Sequence, residues 1–191
     1  MGLNLGFNEK DYKLVWAGMS GMSSYCVVSL LHSMVNCFGL PYAVLIHCGG
    51  NDIGIEPCGK LLFDMKFMFF LISQMLPGSK MFSSILPRLS WRYSEDLKAV
   101  DDTRKRLNRG LKSYLKKLRY YTIVYADFED KHPSLFANDG IHLSFIGNDM
   151  FMHAMQSAVH WNNLYSLLTT WFFLLICEIL YYIGHYNYVI Y

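Results

Sequence analysis

Residues 42–52, YAVLIHCGGND, join an almost wholly apolar stretch to a glycine turn that ends in an amide and a carboxylate. Such an apolar run is typical of a strand covered on both faces, as the central strands of parallel sheets are. Shorter apolar stretches predict further strands at 13–16, 80–86 and 120–126, and apolar residues at helical spacing predict helices over 23–38, 59–76, 94–119 and 144–160. Alternation of strands and helices with short connections predicts a parallel sheet with helices on both faces, which is an α/β fold.

Composition narrows the class of protein. The chain has 191 residues, 53% of them hydrophobic and 17% charged, which is enough for one domain with a real core. The net charge of +2 does not indicate a dedicated nucleic-acid surface, and the basic residues between Arg104 and Arg119 fit a solvated helix face, so nucleic acid is not expected as a partner. The five cysteines form no C-x-x-C pair, and neither a metal nor a cofactor is predicted.

Asp139-Gly140-Ile141-His142 places a carboxylate three residues before an imidazole. A carboxylate at that spacing fixes the tautomer of the histidine for work as a general base. The alternative is an Asp-Gly turn in which Asp139 only caps the helix that follows. We therefore take His142 as the candidate base and Asp139 as its orienting partner.

Asn51 follows the twin glycines at the end of the apolar run, and Gly21 ends a glycine loop after the first strand. An asparagine amide and a backbone N–H in such loops can donate hydrogen bonds to a developing oxyanion. The alternatives are ordinary turn composition at Asn51 and a plain strand-to-helix turn at Gly21. Because sites in open parallel sheets form at the carboxyl ends of the strands, these loops are expected to converge near His142. His47, inside the apolar run, is predicted to be a hydrogen-bonded core histidine.

The sequence resembles the SGNH, or GDSL, hydrolases. The resemblance rests on Leu45–Asp52 and Asp139–Ser144 and extends over roughly residues 2–160. It implies a flavodoxin-like three-layer α/β/α sandwich that cleaves small carboxylic esters and related acyl groups. That family has four motifs, a serine in a Gly-Asp-Ser turn, a glycine, an asparagine in G-x-N-D, and D-x-x-H. Gly21, Asn51, Asp139 and His142 match the last three.

A closer resemblance is to vertebrate SGNH-like sequences, and it is carried by four stretches, Trp16–Met22, His47–Gly54, Ile85–Arg88 and Asp139–Asp149. Many of those sequences look like esterase domains from the first open reading frame of retrotransposons. A retrotransposon origin is implied by this resemblance alone.

One motif of the family is missing. No Gly-Asp-Ser turn occurs in the sequence. The glycine loop that this turn should precede begins at residue 18, close to the start of the sequence. The resemblance therefore predicts that the first strand and the nucleophilic serine are absent, with a gap in the sheet that the apolar tail is a candidate to cover. Ser20, Ser23 and Ser24 lie in or just beyond the glycine loop, so they are not expected to face His142, and helix capping is the expected role of Ser23 or Ser24. We predict an acyl-ester hydrolase domain that is inactive as given, or a non-catalytic interaction or membrane-attached module on the same fold.

The tail differs from the rest of the chain. Residues 164–183 are nearly all apolar and about long enough to cross a bilayer, although Glu178 interrupts them. The two alternatives are a membrane segment and an apolar extension, and both predict an apolar C-terminal helix. The expected division is a hydrolase-like domain over 1–160 and a tail over 161–191. The expected location is cytoplasmic, or membrane-associated through that tail.

Overall fold

A computed structural model describes residues 12–18, 21–161 and 170–176, with the backbone alone at residues 12, 13, 160, 161 and 170–176. All strand pairs in its sheet are parallel, and the spatial order is β1-β5-β2-β3-β4. The strands are β1 (Tyr12–Ala17), β2 (Ala43–His47), β3 (Ser79–Ser83), β4 (Tyr121–Ile123) and β5 (Thr170–Ile176). The predicted α/β fold with a parallel sheet is confirmed.

Helices cover both faces of the sheet. The helices are α1 (Val27–Phe38), α2 (Cys58–Met75), α3 (Leu97–Lys117) and α4 (Phe145–Trp161). Side chains on a strand alternate between faces, so β2 supplies Val44 and Ile46 to the core under α1, α2 and α3, and Leu45 to the core under α4. Ser144 caps α4 by accepting a hydrogen bond from the Gly147 N–H at 3.1 Å.

The tail does not form the predicted helix over residues 170–176. These residues form β5, which lies between β1 and β2, with Phe173 level with Val15 on one side and Val44 on the other. The run Trp-Phe-Phe-Leu-Leu-Ile suits a strand, because aromatic and branched side chains favour the pleated surface and a central strand buries both of its faces. Pairing with β5 also occupies the backbone groups of β1 and β2, which would otherwise border a gap.

The remainder of the predicted apolar helix, residues 164–169 and 177–183, lies outside the described residues. Within the described ranges, no helix combines the length and the apolarity that crossing a bilayer requires.

Candidate active site

A cavity of about 310 Å³ lies where loops that follow the strands meet. Gly21, Asn51 and His142 all line it, so three of the four candidate residues share one cavity. Asp139 hydrogen-bonds to the ring of His142. The convergence expected from a parallel sheet therefore holds for the described residues.

Asp139 holds His142 by its side chain and by the backbone. One carboxylate oxygen pairs with the imidazole Nδ1, and the other accepts the backbone N–H groups of Ile141 at 2.9 Å and His142 at 3.0 Å. Partial burial works to raise the pKa of Asp139, but the hydrogen bonds from His142 and Ile141 outweigh it and lower the pKa to about 2. Asp139 therefore stays ionised at neutral pH, and its pairing at Nδ1 leaves Nε2 as the nitrogen for proton transfer.

Asn51 connects two other loops. Its Nδ2 donates to the Met22 carbonyl at 3.2 Å, and its Oδ1 accepts from Arg88 Nη2 at 3.2 Å. These two contacts fix the side-chain amide in one orientation, with its N–H groups toward the loop that contains Gly21. A fixed amide donor on the wall of a cavity is the kind of group that stabilises an oxyanion.

Two glycines shape this side of the cavity. Gly21 has φ +69°, in the left-handed region that favours glycine, while a Cβ there would meet nothing within 4 Å. Gly49 has φ +107°, and a Cβ there would lie 2.8 Å from Met65 Cε and 2.9 Å from Ile85 Cδ1. Backbone conformation alone thus favours glycine at 21, whereas at 49 glycine is favoured by conformation and also by the close approach of the Met65 and Ile85 side-chain ends.

The serines near Gly21 hold the start of a helical segment. The Ser23 hydroxyl donates to Asp52 and accepts the Tyr25 N–H at 3.4 Å, and the Ser24 N–H donates to the second Asp52 oxygen at 2.9 Å. Ser23 therefore caps a short 3-10 turn at Ser24–Cys26 that leads into α1, as predicted, although it also lines the cavity. Ser20 lies outside the described residues.

His47 ends β2 and borders the same cavity. Its Nδ1 lies 2.7 Å from Ser83 Oγ, which in turn lies 2.6 Å from the Tyr125 hydroxyl. The prediction of a hydrogen-bonded core histidine is confirmed. The sequence did not indicate that this histidine reaches the wall of the cavity.

Arg88 and Trp91 line the cavity as well, and sequence reasoning did not place them there. Both belong to the segment that follows β3. The stretch Ile85–Arg88 could have indicated them, because it resembles the vertebrate sequences and follows a strand at the sheet edge where sites form. The sequence analysis gave this stretch no role.

No protein-family model and no curated protein matches this chain. Solved structures do. A GDSL-like lipase from Bacteroides thetaiotaomicron VPI-5482 superposes with a TM-score of 0.66 at 18% identity, over 81% of this chain and 90% of that one. The esterase EstA from Pseudoalteromonas sp., inhibited by monoethylphosphonate, gives 0.57 at 18% identity, over 75% of each chain. The OSK domain of Drosophila Oskar gives 0.53 at 15% identity, over 73% of this chain and 71% of that one. This chain therefore has the fold of the SGNH, or GDSL, hydrolases.

Proposed function

We propose that this chain is an SGNH-type domain for carboxylic esters. The observation that carries the proposal is the single cavity shared by Gly21, Asn51 and the His142 that Asp139 orients. In this scheme His142 Nε2 accepts a proton from an attacking hydroxyl while Asp139 holds the ring. The Asn51 amide and the Gly21 N–H hold the oxyanion of the tetrahedral intermediate. The lipase and esterase among the structural neighbours support a small acyl ester as substrate.

We also propose that the domain is catalytically incomplete. The sequence has no Gly-Asp-Ser turn. Ser23 lines the cavity, but its hydroxyl already donates to the Asp52 carboxylate, and Asp52 is itself buried. A triad that loses its nucleophile retains only the contributions of substrate binding and the oxyanion hole.

The test is hydrolysis of p-nitrophenyl acetate. We expect the wild type to release nitrophenol no faster than His142→Ala and His153→Ala, the latter being an exposed histidine on α4 that serves as the matched control. Fast hydrolysis that is lost in His142→Ala but kept in His153→Ala would contradict the inactivity. Its further loss in Ser23→Ala would identify Ser23 as the nucleophile.

The alternative is a non-catalytic interaction module on the same fold, and one observation favours it. Phe63, Phe67 and Phe70 are spaced along one face of α2 and are 69%, 56% and 42% exposed. A row of exposed aromatic side chains is typical of an interaction surface. Sedimentation of the wild type and of the double variant Phe63→Ser/Phe67→Ser tests this alternative. Self-association of the wild type that the double variant abolishes supports the module. Sedimentation of both proteins as monomers counts against self-association.

The division at residue 160 remains a proposal. The four candidate residues all lie within 1–160. Residues 170–176 of the tail form β5, which lies between β1 and β2 in the same sheet. Attachment to a membrane through residues 164–183 has no support from the described residues, since 170–176 form a strand. Recovery of the protein in a carbonate-washed membrane pellet, lost on deletion of 164–191, would restore that idea.

A further inference from the structure

Residues 85–90, which follow β3 and form what we call the bridge segment, reach the Asn51 side of the cavity through Arg88. This arginine is buried, its Nη2 donates to Asn51 Oδ1 at 3.2 Å, and its guanidinium carbon lies 5.1 Å from the ring centre of Trp91. A guanidinium has donors and no acceptor, so it pairs with the amide oxygen of Asn51 and not with the amide nitrogen. The amide nitrogen donates instead to the Met22 carbonyl, at 3.2 Å. Arg88 thus selects the orientation in which the amide N–H groups point toward the proposed oxyanion site.

The bridge segment reaches the His142 side of the cavity through its backbone. The N–H groups of Leu89 and Ser90 both donate to the Gly140 carbonyl, at 2.8 and 3.0 Å. Gly140 lies inside the turn in which Asp139 holds the ring of His142. The approach is close, since a Cβ on Gly140 would lie 3.0 Å from the Leu89 Cβ and 3.3 Å from the Ser90 nitrogen. Three consecutive residues of the bridge segment therefore contact both sides of the cavity.

Helix α3 holds the start of the bridge segment. Asn108 accepts the Ile85 N–H and donates to the Ile85 carbonyl, each at 2.9 Å, and Arg104 Nη1 donates to the same carbonyl at 3.2 Å. The buried guanidinium of Arg104 also donates to Asp101 at 2.8 Å and to both carboxylate oxygens of Glu129 at 2.9 and 2.7 Å. Because removing one partner of a buried ion pair leaves an uncompensated charge, this anchor is costly to break.

The spacing between the two sides matters for the proposed chemistry. An acyl transfer needs the base and the oxyanion donors in a fixed relation, and a misplacement of about 1 Å can lower the rate roughly a hundredfold. In this chain Asn51 and His142 belong to loops that are far apart in the sequence. The bridge segment joins these loops by hydrogen bonds, and its anchor on α3 restricts its own movement. A displacement at one contact is therefore expected to displace the other.

We infer that Arg88 is a positioning residue and that the bridge segment sets the place of the Asn51 amide relative to the turn that carries His142. Neither Arg88 nor Gly140 needs to touch the substrate for this role. The inference rests on the proposed function, because it assigns what fixes the geometry of the same cavity. It predicts that a change at Gly140 reaches the Asn51 amide through the bridge segment.

The first experiment follows the side-chain amide signals of Asn51 in the ¹⁵N-labelled full chain, assigned as the pair that disappears in Asn51→Ala. Gly140→Ala adds a methyl group against Leu89 and Ser90 and should shift this pair. Asn138→Ala, a change at an exposed residue of the same turn, is the matched control and should leave the pair in place. Unchanged Asn51 signals in Gly140→Ala, or an equal shift in Asn138→Ala, would overturn the inference.

Variants of Arg88 test the same link from the other end, and they decide the matter if Gly140→Ala fails to fold. Arg88→Met removes the donor and should shift both the Asn51 amide pair and the His142 ring signals, whereas Arg88→Lys keeps a cationic donor and should restore part of the wild-type positions. Arg106→Met makes the same change at an exposed site on α3 outside the cavity and should move neither set of signals. His142 signals that stay in place in Arg88→Met would contradict the link.

Binding of butylphosphonate adds a functional readout. Its tetrahedral anionic head group resembles the proposed intermediate, so its affinity depends on a correctly placed Asn51 amide. We expect Gly140→Ala to bind it roughly tenfold more weakly than Asn138→Ala, as when a hydrogen bond to a charged group is lost. Equal affinities of these two variants, alongside binding by the wild type, would count against the inference. Failure of the proposed function appears instead as no binding by the wild type, in which case the shifts of the Asn51 and His142 signals decide.

Discussion

The His142 side and the Asn51 side of the cavity are held in place in different ways. Asp139 reaches His142 and Ile141 within three residues of itself. Asn51 instead contacts Met22 and Arg88, which are 29 and 37 residues away along the chain. The hydrogen bonds that Asp139 makes to the His142 ring lie within one turn, whereas those that orient the Asn51 amide form only once distant loops have been assembled by the sheet.

This difference predicts where mutations cost stability. The Asp139 side chain is 40% exposed, so its hydrogen bonds compete with water. The Asn51 side depends on the buried Gly49 and on β1, because Asn51 contacts Met22 in the loop after β1 and β1 pairs with β5. Changes to the Asn51 side should therefore weaken the whole fold, and changes to the His142 side should mainly affect the site.

The largest effect is expected from Phe173→Pro in β5. Proline removes a backbone N–H from a strand that pairs on both sides, so we expect the free energy of unfolding to fall by more than about 3 kcal/mol, or the protein not to fold. Urea unfolding measures the loss, with Phe173→Ile, which keeps the N–H, as control. A Phe173→Pro variant as stable as Phe173→Ile would show that β5 contributes nothing to the sheet.

A smaller loss of stability is expected from Gly49→Ala. The added Cβ would meet Met65 and Ile85, and the positive φ disfavours any side chain, so about 2–4 kcal/mol should be lost in urea unfolding. Gly59→Ala is the matched control, because a Cβ there meets nothing within 4 Å and alanine suits α2 better than glycine. Equal stability of the two variants would mean that the glycine turn tolerates a side chain.

The smallest effect on stability is expected from Asp139→Asn. Because the folded pKa of about 2 lies below the ordinary aspartate value, the carboxylate stabilises the fold above roughly pH 4 and loses that contribution as the pH falls toward 2. The variant should lose less than about 1 kcal/mol at pH 7 and show a flatter decline between pH 4 and 2.

Asp130→Asn, an exposed aspartate, controls for the change in net charge in the same acid titrations. If Asp139→Asn lost as much stability as Gly49→Ala, the contrast between the two sides of the cavity would be wrong.

The same contrast explains what the sequence could predict. Asp139 and His142 were identifiable because their interaction is contained in four residues, and the helices were identifiable because their apolar residues repeat at short spacing. The contact between Arg88 and Asn51 has no local pattern, since it depends on how two loops meet across the sheet.

Three elements were predicted with the wrong shape or length, one of them the strand predicted over 120–126, which covers only Tyr121–Ile123. Residues 170–176 lie in a continuous apolar run, whose lack of periodicity does not distinguish a strand from a helix. These residues form a strand because they pair with β1 on one side and β2 on the other. The strand predicted over 80–86 ends at Ser83, because Asn108 and Arg104 take up the backbone groups of Ile85 that a neighbouring strand would otherwise pair. The retrotransposon origin stays a prediction.

The most direct test of the account asks whether the two sides of the cavity respond to one ligand. Butylphosphonate is titrated into the ¹⁵N-labelled protein while the His142 ring and the Asn51 side-chain amide are followed together, each assigned from its alanine variant. The account predicts that both signals shift and saturate with the same Kd. A His142 signal that saturates while the Asn51 amide does not move would contradict it.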